Sequence, residues 1–99
     1  MTTMTIDDFQ KTIEAIYFER DSARGVPGTF LWFTEEVGEL ASAIRGGRRE
    51  DLLEEFADVF AWLVSLASIS GIRMEDAVVK YADGCPACHE TPCTCSEKV

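Results

Sequence analysis

The 99-residue chain is poor in several features that whole functional classes depend on. Its longest apolar run, Val59 to Val64, is six residues, or nine if Ser65 is admitted and the count continues to Ala67. A membrane-spanning helix needs about 20. The opening stretch MTTMTIDDFQ has neither a basic start nor an apolar stretch, so no secretion signal is expected there and the cytoplasm is the expected compartment. Basic residues are scarce: 9 Lys and Arg stand against 18 Asp and Glu, a net charge of −9. That balance argues against a nucleic-acid polymer as partner, because such binding rests on clustered Lys and Arg. It argues equally against docking on an anionic membrane. No cysteine precedes residue 85, whereas a secreted disulfide scaffold would spread its cysteines through the core. Histidine occurs once, at His89, and no stretch reads as a convincing strand or an internal repeat.

What is present is an ordinary globular balance, 46% apolar and 27% charged, arranged with helical periodicity. Ile6, Phe9, Ile13, Ile16 and Tyr17 recur at helical spacing from about Thr5 to Asp21, with Thr5 and Asp8 as a capping pair. Arg24 to Gly28, with two glycines and a proline, predicts a loop. Thr29 then caps a second helix to about Arg45, stopped by Gly46-Gly47. A third runs from about Arg49 to Ser70, before Gly71, and a short fourth from about Met74 to Ala82. The expected architecture is all-α, an antiparallel four-helix chain over residues 1–84, followed by a cysteine-rich tail over residues 85–99. About 84 residues make a marginal core for a monomer, so a homo-oligomer is expected.

Eight acids lie between Glu35 and Asp58. Glu50, Asp51 and Glu54 sit near a helix start, where the helix dipole favours them. Glu36 and Glu39 are three apart, as are Glu55 and Asp58, so each pair shares a helix face. Counted from a turn centred between Gly46 and Gly47, Glu36 and Glu39 lie 10.5 and 7.5 residues before it, and Glu55 and Asp58 lie 8.5 and 11.5 after it. In an antiparallel hairpin the four stand at nearly one height. Trp32 and Trp62, 14.5 before and 15.5 after the turn, are level with each other about one helical turn further on. Four facing carboxylates repel strongly, and the cation that suits an all-oxygen donor set is Mg²⁺ or Mn²⁺. A di-iron bundle would need Glu-x-x-His pairs, and His89 is far from both pairs in sequence.

Glu35-Glu36-Val-Gly-Glu39, followed after fifteen residues by Glu55-Phe-Ala-Asp58, resembles the EExxE…ExxD signature of MazG-like nucleotide pyrophosphohydrolases. The surrounding FLWFTEEVGELASAIR and LLEEFADVFAWLVSLA are similar to that family too, and the resemblance covers about residues 5 to 83. It implies an all-α enzyme that hydrolyses nucleoside triphosphates between the α and β phosphates, giving a monophosphate and pyrophosphate. It implies Mg²⁺ held by Glu36, Glu39, Glu55 and Asp58, with Glu35, Glu36 and Glu39 carrying catalysis and Glu35 either backing the metal ligands or orienting water. It further implies a homodimer or homotetramer. Such chemistry asks for charge neutralisation and positioning more than covalent help. Trp32 and Trp62 are candidates to wall a nucleobase, against the plainer reading of core packing. Lys80, near the end of the last helix, is a candidate to reach phosphate, against the plainer reading of a lysine favoured by the helix dipole. Arg45, Arg48 and Arg49 balance nearby acids, and no pattern assigns a partner to Arg24.

The tail reads Cys85-Pro-Ala-Cys88-His89-Glu-Thr-Pro-Cys93-Thr-Cys95. Cys85, Cys88, Cys93 and Cys95 are candidate ligands of one structural Zn²⁺, with His89 able to replace one of them. The alternative is a reduced, metal-free tail. For the helical part, three other functions compete with general triphosphate hydrolysis in the service of nucleotide-pool sanitising. These are a phosphoribosyl-ATP pyrophosphohydrolase, a dUTPase-like member of the same superfamily, and a helical oligomer that binds a nucleotide or partner without turnover.

Overall fold

The structure is a computed structural model that describes residues 3–97, and every regular element among them is helical. Helix α1 spans Ile6–Gly46, α2 spans Arg49–Ile69, α3 spans Met74–Ala77, and a 3₁₀ turn follows over Val78–Tyr81. None of these helices is long and apolar enough to cross a membrane.

Helix α1 starts at the capping box expected from sequence. The Asp8 amide donates to Thr5 Oγ1 and the Thr5 amide donates to Asp8 Oδ2, both at 3.0 Å. It ends at Gly47, whose left-handed backbone (φ 73°) lets its N–H reach Ala43 O at 2.9 Å.

Three expectations are corrected. The loop placed at Arg24 to Gly28 is a kink inside one helical element. Only Gly25 leaves helical dihedrals, at φ 82° and ψ 170°, a conformation open to glycine and costly for residues bearing a Cβ. Pro27 falls in the first turn after the kink, where a missing N–H does no harm. Thr29 therefore does not cap a helix. It is fully buried within the second limb of α1, and its Oγ1 accepts from Arg24 Nη1 at 3.4 Å. The expected fourth helix is a single α-turn that tightens to 3₁₀ geometry from Val78, where two consecutive β-branched residues crowd the helix.

The two limbs of α1 both pack on α2. Phe9 of the first limb stacks on Phe60 at 5.2 Å between ring centroids, and Trp32 of the second stacks on Trp62 at 6.3 Å. Ile13, Ala43 and Val64 form the buried apolar core. Large side chains such as Phe30, Leu31, Ile44, Leu53, Phe56 and Val79 remain more than half exposed. The radius of gyration, 15.8 Å, exceeds the roughly 13 Å of a compact chain of this length. A single copy therefore leaves much of its apolar surface uncovered.

At the far end of α2 a polar lock closes the fold. Gln10, fully buried, donates through Nε2 to Ser68 Oγ and Ile72 O, each at 2.9 Å, and accepts from the Met74 amide at 2.7 Å. Beside it, Arg73 donates to Asp7 and to Glu14 at 2.6 Å each.

Candidate functional site

The hairpin register brings three of the motif acids to one point. Glu36 and Glu39 lie a turn apart on α1, Glu55 lies on the facing stretch of α2, and one carboxylate oxygen of each falls within 4.8 Å of the others. Glu36 Oε2 and Glu55 Oε1 are buried with no hydrogen-bond partner among the described residues. Burial, with the neighbouring charges of Glu39 and Asp58, pushes the Glu36 carboxyl up to about 7. The same causes raise Glu55. Among the described residues no Lys or Arg pairs with any of the three. Partly desolvated carboxylates pressed together with orphaned oxygens are an electrostatic cost that a bound cation would remove. The donor set therefore fits a hard divalent ion.

Asp58 is not one of the three meeting carboxylates. It is half-buried one turn further along α2 and lines an adjoining cavity of about 500 Å³, a size suited to a small molecule. Trp32, Trp62, Ala61, Ser65, Tyr17, Arg20, Asp21 and Arg24 complete the lining. The two tryptophans expected at one level are stacked with an interplanar angle of 18°. The Arg24 guanidinium carbon lies 5.1 Å from the Trp62 ring centroid. Its Nη1 donates to Asp21 Oδ1 at 3.0 Å, and Asp21 is nearly fully buried. The cavity thus joins an acidic end, an aromatic wall and a cationic rim.

Glu35 is exposed and outside the three-carboxylate group. Lys80 does not line the cavity; its ammonium lies 5.7 Å from the Tyr81 ring centroid. Of the arginines at the turn, Arg48 reaches Glu50 at 3.2 Å and Asp51 at 3.7 Å, as exposed pairs. The sequence reading missed Tyr17, Arg20, Asp21 and Ser65, and left Arg24 unassigned. Their signal was spacing. Tyr17, Arg20, Asp21 and Arg24 recur at i, i+3, i+4 and i+7 on one helix face, and Asp58, Ala61, Trp62 and Ser65 repeat the pattern on α2. The kink at Gly25 brings the first face against the second limb.

The four tail cysteines also come together, with their sulfurs within 4.8 Å of one another. His89 is not part of that group.

No curated protein matches the chain. The sequence model of the family described as MazG nucleotide pyrophosphohydrolase domain matches residues 27–89, close to two thirds of the chain. The match takes in the second limb of α1, all of α2, and the chain as far as the residue after Cys88.

Proposed function

The chain belongs to the MazG nucleotide pyrophosphohydrolase family, and from that premise we propose that it catalyses the Mg²⁺-dependent hydrolysis of nucleoside or deoxynucleoside triphosphates to monophosphate and pyrophosphate. The observation that carries this reading is the convergence of Glu36, Glu39 and Glu55, with orphaned buried oxygens, one helical turn from Asp58, which lines a cavity walled by Trp32 and Trp62.

Glu36, Glu39, Glu55 and Asp58 would hold the divalent ion. When bound, it neutralises phosphate charge and acidifies water. The chain's own residues do the rest. The stacked indoles offer a flat apolar wall to a base, and Arg20 and Arg24 offer cations to phosphate oxygens. Water oxygen bonds to the α-phosphorus in line with the departing pyrophosphate, and the α–β bridging oxygen leaves with the bond's electron pair. A carboxylate of the cluster accepts the water's proton. Glu35, exposed beside the cluster, orients solvent.

The active unit is a homo-oligomer. The exposed Leu31, Leu53 and Phe56, and the expanded shape of the single chain, support this assignment. Pocket walls are then completed by a second copy, the route by which Lys80 would approach a phosphate.

The test is product analysis with purified chain, Mg²⁺ and a panel of triphosphates, beside a Glu39→Ala control. Monophosphate and pyrophosphate in equal amounts, absent in the control, are the expected result. Release of single phosphate, or nucleotide binding without turnover at saturating Mg²⁺, would refute the proposal.

A further inference from the structure

The carboxylate site makes no use of the tail, yet the tail is folded in detail. Cys85 Sγ lies 3.8 Å from Cys95 Sγ, and Cys88 Sγ lies 3.9 Å from Cys93 Sγ. Every sulfur of the four lies within 4.8 Å of the others. A disulfide would hold two sulfurs about 2.05 Å apart, and all four cysteines are free thiols. Four sulfurs at about 2.3 Å around one tetrahedral Zn²⁺ lie about 3.8 Å from one another. The two shortest spacings in the tail match the edge of that tetrahedron. An iron–sulfur cluster, with several irons and bridging sulfides inside the ligand shell, would need its cysteines much further apart.

The backbone around the sulfurs is arranged for thiolates. The Thr94 amide donates to Cys88 Sγ at 3.4 Å and the Cys95 amide to Cys93 Sγ at 3.3 Å. Such N–H donors from the surrounding shell orient ligands and stabilise their charge. The His89 amide closes the first turn on Cys85 O at 2.7 Å, and the Cys85 amide returns to Glu90 O at 3.1 Å. Gly84, at φ 96°, lies against this loop. A Cβ there would come within 2.8 Å of Thr91 Oγ1 and 3.0 Å of Glu90 O, so only glycine permits the closure.

His89 follows the second cysteine with φ 62°. A residue bearing a Cβ is strained in this region, and its ring is outside the group of sulfurs. The turn after Cys88 therefore holds a conformation that glycine would adopt freely, and the His89 side chain stands outside the group of four sulfurs.

We propose that Cys85, Cys88, Cys93 and Cys95 hold one Zn²⁺ in a closed, structural tetrathiolate site, with His89 outside the ligand set. Zn²⁺ bonds to the four sulfurs as the thiols release their protons, with no change of oxidation state. With four protein ligands there is no open position for water or substrate, so the site takes no part in phosphate chemistry.

The test uses the full chain purified under reducing conditions, with metal content measured directly. One zinc per chain is expected. Replacement by Co²⁺ should give the intense visible bands of a tetrahedral site and the near-ultraviolet sulfur-to-cobalt charge-transfer band of thiolate ligation. Cys88→Ser combined with Cys95→Ser should reduce bound metal at least tenfold. His89→Gly discriminates further: it should keep one metal per chain and bind it at least as tightly as the parent, because glycine relieves the strained turn. A chain that takes up neither Zn²⁺ nor Co²⁺ would overturn the proposal. So would iron in place of zinc, or a His89→Gly chain that loses its metal. The Co²⁺ spectrum of the unaltered chain and the His89→Gly measurement keep the question answerable if the double cysteine variant fails to fold.

Discussion

The two ends of α2 treat their carboxylates in opposite ways. Near Arg73, Asp7 and Glu14 each sit 2.6 Å from one guanidinium, and hydrogen bonds from Arg73 and Lys11 hold the Asp7 carboxyl below its ordinary range. Near Glu55, three carboxylates meet with no cationic side chain among the described residues, two oxygens are buried without partners there, and Glu36 is pushed up to about 7. The first end is satisfied within one chain. The second is costly within one chain and becomes favourable only when something positive arrives. A fold keeps such a cost where binding recovers it, so stability and function should separate along α2.

The largest expected effect breaks the unsatisfied end. Glu39→Ala removes a proposed ligand to an ion that would supply several kcal/mol of transition-state stabilisation, so turnover should fall about a hundredfold or more. Thermal stability without metal should hold or rise, because one of three mutually repelling carboxylates is gone. A variant that loses activity and stability together would make Glu39 structural. Scanning calorimetry beside the rate assay distinguishes the two.

The satisfied end should respond the other way. Gln10→Ala strands Ser68 Oγ, Ile72 O and the Met74 amide, and leaves a hole where a fully buried side chain stood. An unmet buried group costs ~1–3 kcal/mol, and these part-buried partners less each, so with the hole left by Gln10 a destabilisation of about 3 kcal/mol is expected by denaturant titration. The kcat of the protein that remains folded should be unchanged. A fall in kcat without a shift in the denaturation midpoint would undo the separation.

These contrasts were legible in the sequence to different degrees, for physical reasons. The meeting of Glu36, Glu39 and Glu55, without the expected Asp58, and the Trp32–Trp62 stack followed from helical spacing plus one fixed turn at Gly46-Gly47, because an antiparallel hairpin converts sequence distance into height. The kink was read as a loop because Gly and Pro signal a break without stating its extent. One glycine leaving helical dihedrals is enough to redirect the chain, and the helix resumes at once. The Gln10 and Arg73 lock was invisible, since its partners lie some 60 positions apart and meet only through tertiary packing. Arg24 was visible as a cation, but its place beside Trp62 depends on the kink.

A smaller effect tests whether the aromatic wall belongs to the functional end. Trp62→Leu keeps apolar bulk on α2 and removes the flat partner of Trp32 and Arg24. Base stacking on an aromatic side chain contributes roughly 1–3 kcal/mol, so KM should rise about tenfold with little change in kcat. Ribose triphosphate, which has no base, should bind the parent and the variant equally well. An unchanged KM for every nucleotide would return Trp62 to the core.

The smallest effect is a slope. The Glu36 carboxyl is raised in the folded chain from 4.5 to about 7, first by burial and then by the charges of Glu39 and Asp58. A raised pKa means the folded chain binds the proton more tightly than the unfolded chain. That contribution to stability is complete below the unfolded value of 4.5 and is lost as pH rises through about 7. Asp7 has the opposite sign, but its lowered pKa confines its effect to pH near and below its ordinary 3.8. Between pH 5 and 8 the acid cluster therefore dominates this pair. The metal-free Tm should decline across that window, with Glu55 adding in the same direction. Mg²⁺ should raise Tm more at pH 8 than at pH 5, because at the lower pH it competes with the proton on Glu36. Glu36→Gln should flatten both trends, since an amide neither titrates across this range nor repels its neighbours. If the decline survived Glu36→Gln unchanged, the pH dependence would belong to the general excess of acid over base, and the cluster would lose its place as the strained end of α2.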